Sequence, residues 1–297
     1  MPELPEVEHL RRSLEPSILQ AAVGHVAIHR RDMVRLPAGV KHTVATLEQG
    51  LLVGTNIVAT HRHGKQFALE GVDGRVLVIQ LGMSGSVIIE HGPPPSGMAG
   101  KHRHVVWTLS SLIGANSQAA TRESVHMSFR DPRRVGGLTA FASMDQLRTA
   151  WANLGPDALT VRAEALRAAL RRSKRAVKAA LLDQALVAGV GNIYADEALF
   201  AARVHPETPA NLLDPAAANK LARAIRAILS RAVKAGGSTI RDYRDGLGHA
   251  GTAAADHRVY GRAGQPCVRC RTTLEGLVVQ ARTTVFCPVC QPTRGCL

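Results

Sequence analysis

The spacing of apolar residues predicts strands in the first half of the chain and helices in the second. After Pro5, apolar residues recur at helical spacing, which predicts a leading helix that ends at Pro16. Between residues 53 and 141 the pattern changes to short β-branched and apolar runs, separated by turns such as the one at Pro93 to Pro95. These runs are NIVAT, KQFALEG, RVLVIQLG, SVIIE, HVVWTL and GGLTAF. The pattern predicts an antiparallel β-sandwich or barrel that follows one helix.

From about residue 145 the chain becomes rich in Ala, Leu, Arg and Lys, with apolar residues at helical spacing. The pattern predicts helices at 145–153, 163–172, 174–187, 192–202 and 215–235. Residues 246–255 are mostly Gly and Ala, and we expect a loop with too little apolar content to pack. The chain is therefore predicted to be an α+β protein of several domains. These are a β-sandwich with its leading helix at 1–143, a helical domain at 144–245, and a loop with a cysteine-rich module at 246–297.

The composition is that of a folded protein without a membrane segment. Of the 297 residues, 45% are hydrophobic and 20% are charged, which is typical of a globular protein with a real core. No apolar run approaches the roughly 18 residues of a membrane span. The first residues carry acids where a secretory signal carries basic residues. These features predict a cytoplasmic protein with no membrane partner.

The net charge predicts a polyanionic partner. Lys and Arg number 37 against 23 acids, so the net charge is +14 and the isoelectric point about 10.4. Nucleic acid is the first candidate, and an acidic membrane surface is the alternative, although the sequence has no amphipathic anchor or lipidation signal. Aromatic residues make up 3% of the chain, which argues against binding of single strands by base stacking. We therefore expect double-stranded DNA as the partner.

Four of the five cysteines form two C-x2-C pairs, Cys267 with Cys270 and Cys287 with Cys290. This spacing brings four thiolates to the corners of a tetrahedron, and a site filled by four Cys ligands is structural rather than catalytic. We expect one zinc ion here; the alternative is two disulfides, which require an oxidising compartment. Cys296 has no partner at this spacing and is interpreted as a free thiol.

Between the two cysteine pairs, the runs LEGLVVQ and TTVF predict the strands of a hairpin that the zinc would hold. Arg282 then lies at or near the tip of the hairpin. A basic side chain on a rigid tip is suited to a phosphate group or a groove. The alternative is an ordinary solvated arginine in a turn.

The first eight residues, MPELPEVE, suggest chemistry at the amino terminus. Removal of Met1 would leave Pro2 as a secondary amine beside the carboxyl group of Glu3. A secondary amine can attack an aldehyde-like carbon and form an iminium ion, which then accepts electrons during elimination.

Several motifs occur together and in order: MPELPEVE, HRHGKQF, LGMSG, FRDPRR, DQALVAGVGNIYADEALF, GGST, VYGRAGQPC and CPVCQ. In this the chain closely resembles the bacterial formamidopyrimidine-DNA glycosylase family, the Fpg/Nei group of base-excision repair enzymes. The resemblance extends from Pro2 to Gln291, practically the whole chain. It implies a β-sandwich domain with a leading helix, a helix-two-turn-helix domain and a zinc-finger hairpin.

The resemblance implies the following catalytic roles. Pro2 matches the nucleophile that attacks C1′ of the damaged nucleoside, and Glu3 matches the acid that handles protons at the sugar. Lys65 matches the lysine that assists elimination near a phosphate. Asn192 and Arg282 match the pair that binds the phosphates beside the lesion, and Arg282 is also linked to the second elimination.

The resemblance also implies further DNA contacts, at His102, Arg133 and Lys174. Met83 and Arg133 match two residues that fill the gap left by the extruded nucleotide, a step required because a stacked base hides its sugar carbon. The basic segment 162–178, which includes Lys178, is interpreted as a phosphate clamp next to the turn AGVGN. That turn opens a helix whose free N–H groups are expected to point outward.

The chain departs from the family pattern in three places. The third gap-filling residue, usually Phe in DPRRFG, is Val135 in this chain. Thr252 and Ala253 stand where many members that excise 8-oxoguanine have an aromatic pair that caps the lesion. Gln80 replaces a common His before LGMSG. The proposed chemical residues are thus intact, while the lesion-sensing aromatics are absent.

The resemblance implies a bifunctional DNA glycosylase and abasic-site lyase that acts on oxidised or ring-opened purines by β,δ-elimination. We expect it to be a monomer associated with the bacterial nucleoid. One alternative keeps the lyase but changes the lesion range to abasic sites and ring-opened or hydantoin bases, with weak 8-oxoguanine activity. A second is a zinc-bearing DNA-binding protein without catalysis, which would have no use for Pro2 and Glu3. A third, an RNA-associated zinc protein, is disfavoured because RNA-reading aromatics are absent.

Overall fold

The computed structural model describes residues 2–92, 101–112, 122–240 and 243–293. Met1, Pro93 to Pro95 and Cys296 lie outside the described residues. The chain forms two compact units, each with its own core. The sheet unit comprises Met1–Pro2, Glu6–Trp151 and Ser238–Gly251, and the helical unit comprises Glu3–Pro5, Ala152–Gly237 and Thr252–Leu297.

The sheet unit contains two sheets. Its strands are β1 (Ala22–Ile28), β2 (Val34–Arg35), β3 (Ile57–His63), β4 (Gln66–Gly71), β5 (Val76–Gln80), β6 (Ser86–His91), β7 (Arg103–Leu112), β8 (Arg122–Arg130) and β9 (Gly137–Phe141). One sheet has the order β1-β7-β8-β6, and the other has the order β2-β9-β5-β4-β3. Pairing is antiparallel except between β2 and β9. The predicted β-sandwich with a leading helix is confirmed.

The helices of this unit cover its apolar surfaces. They are α1 (Leu4–Ile18), α2 (Val44–Gly50) and α3 (Met144–Trp151). Leu10 and Leu14 of α1 share one core with the inward residues of both sheets, such as Phe129. The strand β5 is buried on both faces. Leu77 and Ile79 enter that core, while Val76 and Val78 on the opposite face pack with Leu147 of α3.

The predicted end of the first helix is wrong by two residues. Pro16 lies inside α1, which continues to Ile18. A proline within a helix removes a backbone hydrogen bond and crowds the preceding turn, at a cost of about 3 kcal/mol. Burial of Ile18, which is wholly inaccessible to solvent, offsets this cost and holds the last turn against the core.

The helical unit contains α4 (Ala163–Arg171), α5 (Val177–Leu182), α6 (Asn192–Ala202), α7 (Pro215–Lys234) and the hairpin of β10 (Glu275–Val279) and β11 (Arg282–Phe286). The helix predicted at 174–187 is much shorter, because α5 stops at Leu182. Asp183 then accepts a hydrogen bond from the amide of Ala185, and Gln184 accepts one from the amide of Gly189. Such side-chain bonds to the backbone compete with helix formation. Among the described residues, no helix is long and apolar enough to cross a membrane.

The expectation that residues 246–255 do not pack is wrong. In the sheet unit, the carbonyl of Gly246 accepts a hydrogen bond from the amide of Ile89, and its own amide donates to the hydroxyl of Ser13. A Cβ atom at Gly246 would lie 2.5 Å from Leu14 Cδ2, so this close approach requires glycine. In the helical unit, Ala253 is buried in the core.

Candidate functional site

Glu3 caps the amino terminus of α6 within the helical unit. Its side chain is 1% exposed and accepts hydrogen bonds from the backbone amides of Ile193, at 2.9 Å, and Tyr194, at 3.4 Å. The expectation that these helix N–H groups are free and point outward is therefore wrong. The carboxylate takes the place at the positive end of the helix that a phosphate would otherwise occupy.

Two glycines before α6 make room for this cap. A Cβ atom at Gly191 would lie 2.3 Å from Glu3 Cδ, and one at Gly189 would lie 2.3 Å from Leu4 Cδ1. Gly189 also has a φ of +113°, which L residues rarely adopt. The motif AGVGN therefore serves to admit Glu3 and Leu4. Pro2, which precedes Glu3 in the chain, is buried and belongs to the sheet unit.

Asn192 contacts the hairpin at the residue next to Arg282. The amide nitrogen of Asn192 donates a hydrogen bond to the carbonyl oxygen of Thr283 at 3.0 Å, next to Arg282. Arg282 is exposed and is the first residue of β11, as the sequence predicts. The turn before it consists of Gln280 and Ala281, both with positive φ, as a tight two-residue hairpin turn demands.

Lys178 is not part of a phosphate clamp. Its side chain is 0% exposed, and its Nζ lies 2.6 Å from Asp196 Oδ1 on α6. It also donates hydrogen bonds to Thr284 Oγ1, at 2.7 Å, and to the carbonyl oxygen of Thr283, at 3.1 Å. Burial lowers the pKa of Lys178 and raises the pKa of Asp196 to about 6. The lysine therefore links β11 to α5 and α6.

The other basic residues of the segment lie on α4, at its N-cap or in the connection that follows it. Lys174 is exposed in the connection between α4 and α5, beside the exposed Arg171 and Arg172. Arg175 forms an ion pair with Asp183, at 2.6 Å. The surface that remains for phosphates is therefore this connection and not a continuous helix face.

The four cysteines form a site that fits zinc. The Sγ atoms of Cys267, Cys270, Cys287 and Cys290 all lie within 4.8 Å of one another, and all four cysteines are free of disulfides. The separations include 3.4 Å between Cys270 and Cys287 and 4.0 Å between Cys267 and Cys290. Thiolates bound to a tetrahedral zinc ion at about 2.3 Å lie about 3.8 Å apart. The prediction of one structural zinc is confirmed.

Glu197 is a structural residue that the sequence did not reveal. It is buried on α6 and its carboxylate accepts hydrogen bonds from the backbone amides of Arg258, Val259 and Tyr260. It thus fixes the VYGR motif at the entrance to the zinc-finger hairpin. The sequence signal for its burial is the position of this acid within the largely apolar run NIYADEALF.

In the sheet unit, Met83, His102, Arg133 and Val135 lie on three connections that meet at Asp131. Met83 lies in the loop between β5 and β6, and His102 immediately precedes β7. Arg133 and Val135 lie between β8 and β9, where Val135 is 50% exposed. The motif FRDPRR pointed to the arginines but gave no reason to single out Asp131.

Lys65 and Gln80 also belong to the sheet unit. Lys65 is the second residue of the tight turn that joins β3 and β4, after Gly64 with a φ of +56°. Arg62 donates to the carbonyl oxygen of Gly64 and forms an ion pair with Glu8 of α1, both at 3.0 Å. These contacts hold the turn that carries Lys65. Gln80 is exposed at the end of β5.

Thr252 and Ala253 are tied to the end of α7. The amide of Thr252 donates to the carbonyl oxygen of Ala235, and the amide of Ala253 donates to that of Gly237. Ala253 is 5% exposed within the helical core. Neither side chain is large enough to cover a base.

Comparison with known proteins shows which family has this arrangement. The profile of the formamidopyrimidine-DNA glycosylase N-terminal domain matches residues 1–138, its H2TH domain matches 154–244, and the zinc finger found in FPG and IleRS matches 264–293. The formamidopyrimidine-DNA glycosylase of Thermomicrobium roseum is 43% identical over 98% of this chain and 99% of its own length. That of Chloroflexus aurantiacus is 37% identical over 99% and 98%, respectively.

Solved structures agree with the sequence relatives. A complex of Lactococcus lactis Fpg with DNA that contains an abasic site matches with a TM-score of 0.83 and 32% identity, over 98% of this chain and 100% of that one. The MutM (Fpg) protein of Thermus thermophilus matches with a TM-score of 0.79 and 37% identity, over 98% of both chains. The cysteine site, the Glu3 cap and the order of domains therefore occur in a chain that belongs to the formamidopyrimidine-DNA glycosylase family.

Proposed function

We propose that this family member excises oxidised or ring-opened purines from duplex DNA and cleaves the strand at the resulting abasic site, with Pro2 as nucleophile. The observation that carries the proposal is the burial of Glu3 on the amino terminus of α6. An acid held so firmly, directly after a proline that becomes the chain terminus, is suited to proton transfer at one fixed place. We further propose that the protein acts as a monomer at the nucleoid, for which the net charge of +14 is the support.

In the proposed reaction, the lone pair of the Pro2 nitrogen forms a bond to C1′ while the bond from C1′ to the base breaks. The base departs with that electron pair and takes a proton. The Pro2 nitrogen then loses its proton and its lone pair breaks the bond from C1′ to the ring oxygen; the Glu3 carboxylate is placed to take that proton and pass it to the ring oxygen. The product is an iminium ion between Pro2 and the opened sugar.

The iminium ion lowers the barrier to two eliminations. Loss of a proton from C2′ expels the 3′ phosphate, and loss of a proton from C4′ then expels the 5′ phosphate. Water finally releases the sugar fragment from Pro2. We propose that Lys65 assists these proton transfers, and that Asn192 and Arg282 bind the flanking phosphates. The zinc ion stabilises the hairpin that presents Arg282.

The lesion range follows from two small side chains. Val135 offers less stacking surface than the phenylalanine of the family pattern, and stacking on an aromatic is worth about 1–3 kcal/mol per base. Ala253 is buried, so it cannot cover an extruded base. We propose that the protein cleaves abasic sites and ring-opened purines roughly ten- to a hundredfold faster than 8-oxoguanine paired with cytosine.

The nucleophile is tested by borohydride trapping on duplexes with an abasic site, ring-opened guanine or 8-oxoguanine. We expect wild-type protein to be trapped, while Pro2→Gly and a protein with a blocked amino terminus are not trapped yet still bind DNA. Full cleavage by the blocked protein would contradict the mechanism. Binding without trapping by the wild type would favour the non-catalytic DNA-binding protein instead.

The lesion range is tested by single-turnover rates on the same duplexes. We expect Val135→Phe to narrow the gap between the abasic site and paired 8-oxoguanine. Equal wild-type rates on both substrates would show that the small side chains have no effect on lesion choice.

A further inference from the structure

Asp131 is a buried acid in the sheet unit whose carboxylate is saturated with donors. It is 0% exposed, in the connection between β8 and β9. Its Oδ2 accepts the backbone amides of Val135, at 2.8 Å, and Gly136, at 2.7 Å. Its Oδ1 accepts the amide of Arg133, at 3.2 Å, and the hydroxyl of Ser84. Four donors thus use the roughly four acceptor positions of one carboxylate.

The backbone of Asp131 binds a third connection. Its amide donates to the carbonyl oxygen of His102 at 3.2 Å, and its own carbonyl oxygen accepts from His104 Nε2 at 2.7 Å. Through its side chain and backbone, this residue therefore touches the segments that carry Met83, His102 and Val135. These are the segments to which DNA contacts were assigned in the sheet unit.

The loops around Asp131 fit together with little space. A Cβ atom at Gly82 would lie 2.6 Å from the amide nitrogen of Gly136, and one at Gly136 would lie 2.4 Å from the carbonyl oxygen of Gln80. Arg134 has a φ of +55°, a strained region for a residue with a side chain, and its amide donates to Asp131 O at 3.2 Å. Such a conformation persists only when its surroundings hold it.

We infer that Asp131 is a positioning residue that fixes Met83, Arg133 and Val135 as one rigid element for filling the gap left by an extruded nucleotide. The inference rests on the proposed function. A valine makes few contacts, so it supports the opened duplex only when its position is fixed before binding. An abasic site has no base to extrude. Loss of Asp131 therefore affects paired lesions more than abasic sites.

Asp131→Asn tests this with almost no change in volume. The asparagine side chain has one acceptor oxygen and one NH2 group. Its NH2 group must therefore face either the backbone N–H groups of Val135 and Gly136 or the backbone N–H group of Arg133. We expect the single-turnover rate on a duplex with 8-oxoguanine paired with cytosine to fall at least tenfold. The rate on an abasic duplex is expected to fall no more than threefold. Ser84→Ala, which removes one donor, is expected to shift the ratio of the two rates in the same direction.

Asp73 provides a matched control at the other end of β5. It accepts hydrogen bonds from the backbone and the side chain of Arg75 in the turn between β4 and β5. Asp73→Asn is expected to leave both rates unchanged. Equal losses on both substrates in Asp131→Asn, or no loss on either, would overturn the inference.

A binding measurement separates this inference from the proposed chemistry. The fluorescence of 2-aminopurine placed opposite a tetrahydrofuran site reports how well the gap is filled, without any cleavage. We expect a smaller change with Asp131→Asn than with wild type, and an equal change would overturn the inference. Failure of wild-type protein to cleave either duplex would instead contradict the proposed function, while the fluorescence still tests Asp131.

Discussion

Replacement of Lys178 by Met tests whether this lysine serves the fold or a phosphate. Methionine keeps the length and apolar stem of the side chain but removes the ammonium group that lies 2.6 Å from Asp196. Among the described residues, Asp196 would then keep the amide of Val285 as its one hydrogen-bond donor, at 3.0 Å. The hydrogen bonds that hold β11 through Thr283 and Thr284 would also be lost.

The expected cost is about 3–5 kcal/mol, because removal of one partner leaves a buried charge without compensation. The cost depends on pH. Burial already raises the pKa of Asp196 to about 6, above its ordinary 3.8, and loss of the lysine raises this pKa further. A raised acid pKa means that the folded state prefers the neutral acid. The difference in stability between wild type and Lys178→Met is therefore smallest below about pH 6, the pKa of Asp196 in the folded wild type, and grows as the pH rises above that value.

Urea unfolding of wild type, Lys178→Met, Asp196→Leu and the double variant measures this cost. We expect the double variant to be more stable than Lys178→Met, because no charge is then left buried. The salt dependence of DNA binding gives an independent test. We expect Lys174→Ala to lower the slope of log K against log salt concentration by about 1, and Lys178→Met to leave this slope unchanged. A lower salt slope with unchanged stability in Lys178→Met would refute the assignment.

Three further predictions concern other parts of the fold. Ala281→Gly relieves a φ of +56° in the hairpin turn and is expected to stabilise the zinc finger by about 1 kcal/mol, seen as slower zinc loss to a chelator; faster loss would contradict this. Although burial disfavours the charge of Glu8, hydrogen bonds from Arg11 and Arg12 lower its pKa from 4.5 to about 2. The ionised Glu8 should therefore contribute up to about 3 kcal/mol to the free energy of unfolding above pH 4.5, and this contribution is lost as the pH falls towards 2. In Glu8→Gln, the free energy of unfolding should depend less on pH between 4.5 and 2. Cys287→Ser, or chelation of wild type, should release one zinc ion and abolish lesion binding, and a purified protein with no zinc would refute the assignment.

The sequence predicted those elements whose signals are local. The continuous apolar run RVLVIQLG, the alternation in GGLTAF and the helical spacing of 215–235 correspond to β5, β9 and α7. The strand β1 was missed because a bulge between Val23 and His25 breaks its two-residue period. The strand β8 was also missed, although its buried Val125, Met127 and Phe129 do alternate with polar residues.

The roles of buried polar residues could not be predicted, because their partners are distant in the chain. Lys178 and Thr284 are 106 positions apart, so the apolar residues around Lys178 signal its burial but not the partners that it meets. Asp131 contacts Ser84, 47 positions earlier. The family pattern supplied the identities of Pro2 and Glu3 but not the helix that holds Glu3.

The cap that α6 provides for Glu3 has a consequence for synthesis of the protein. Glu3 and Ile193 are 190 positions apart, so the ribosome makes the acid long before it makes the amides that hold it. At about 5–20 residues per second, this interval lasts roughly 10–40 s. In the proposed mechanism, the nascent chain has its proline nucleophile during that time but no fixed acid. A chain that terminates before α6 would therefore carry the proposed nucleophile with Glu3 unfixed, and the proposed mechanism then predicts little strand cleavage by incomplete protein.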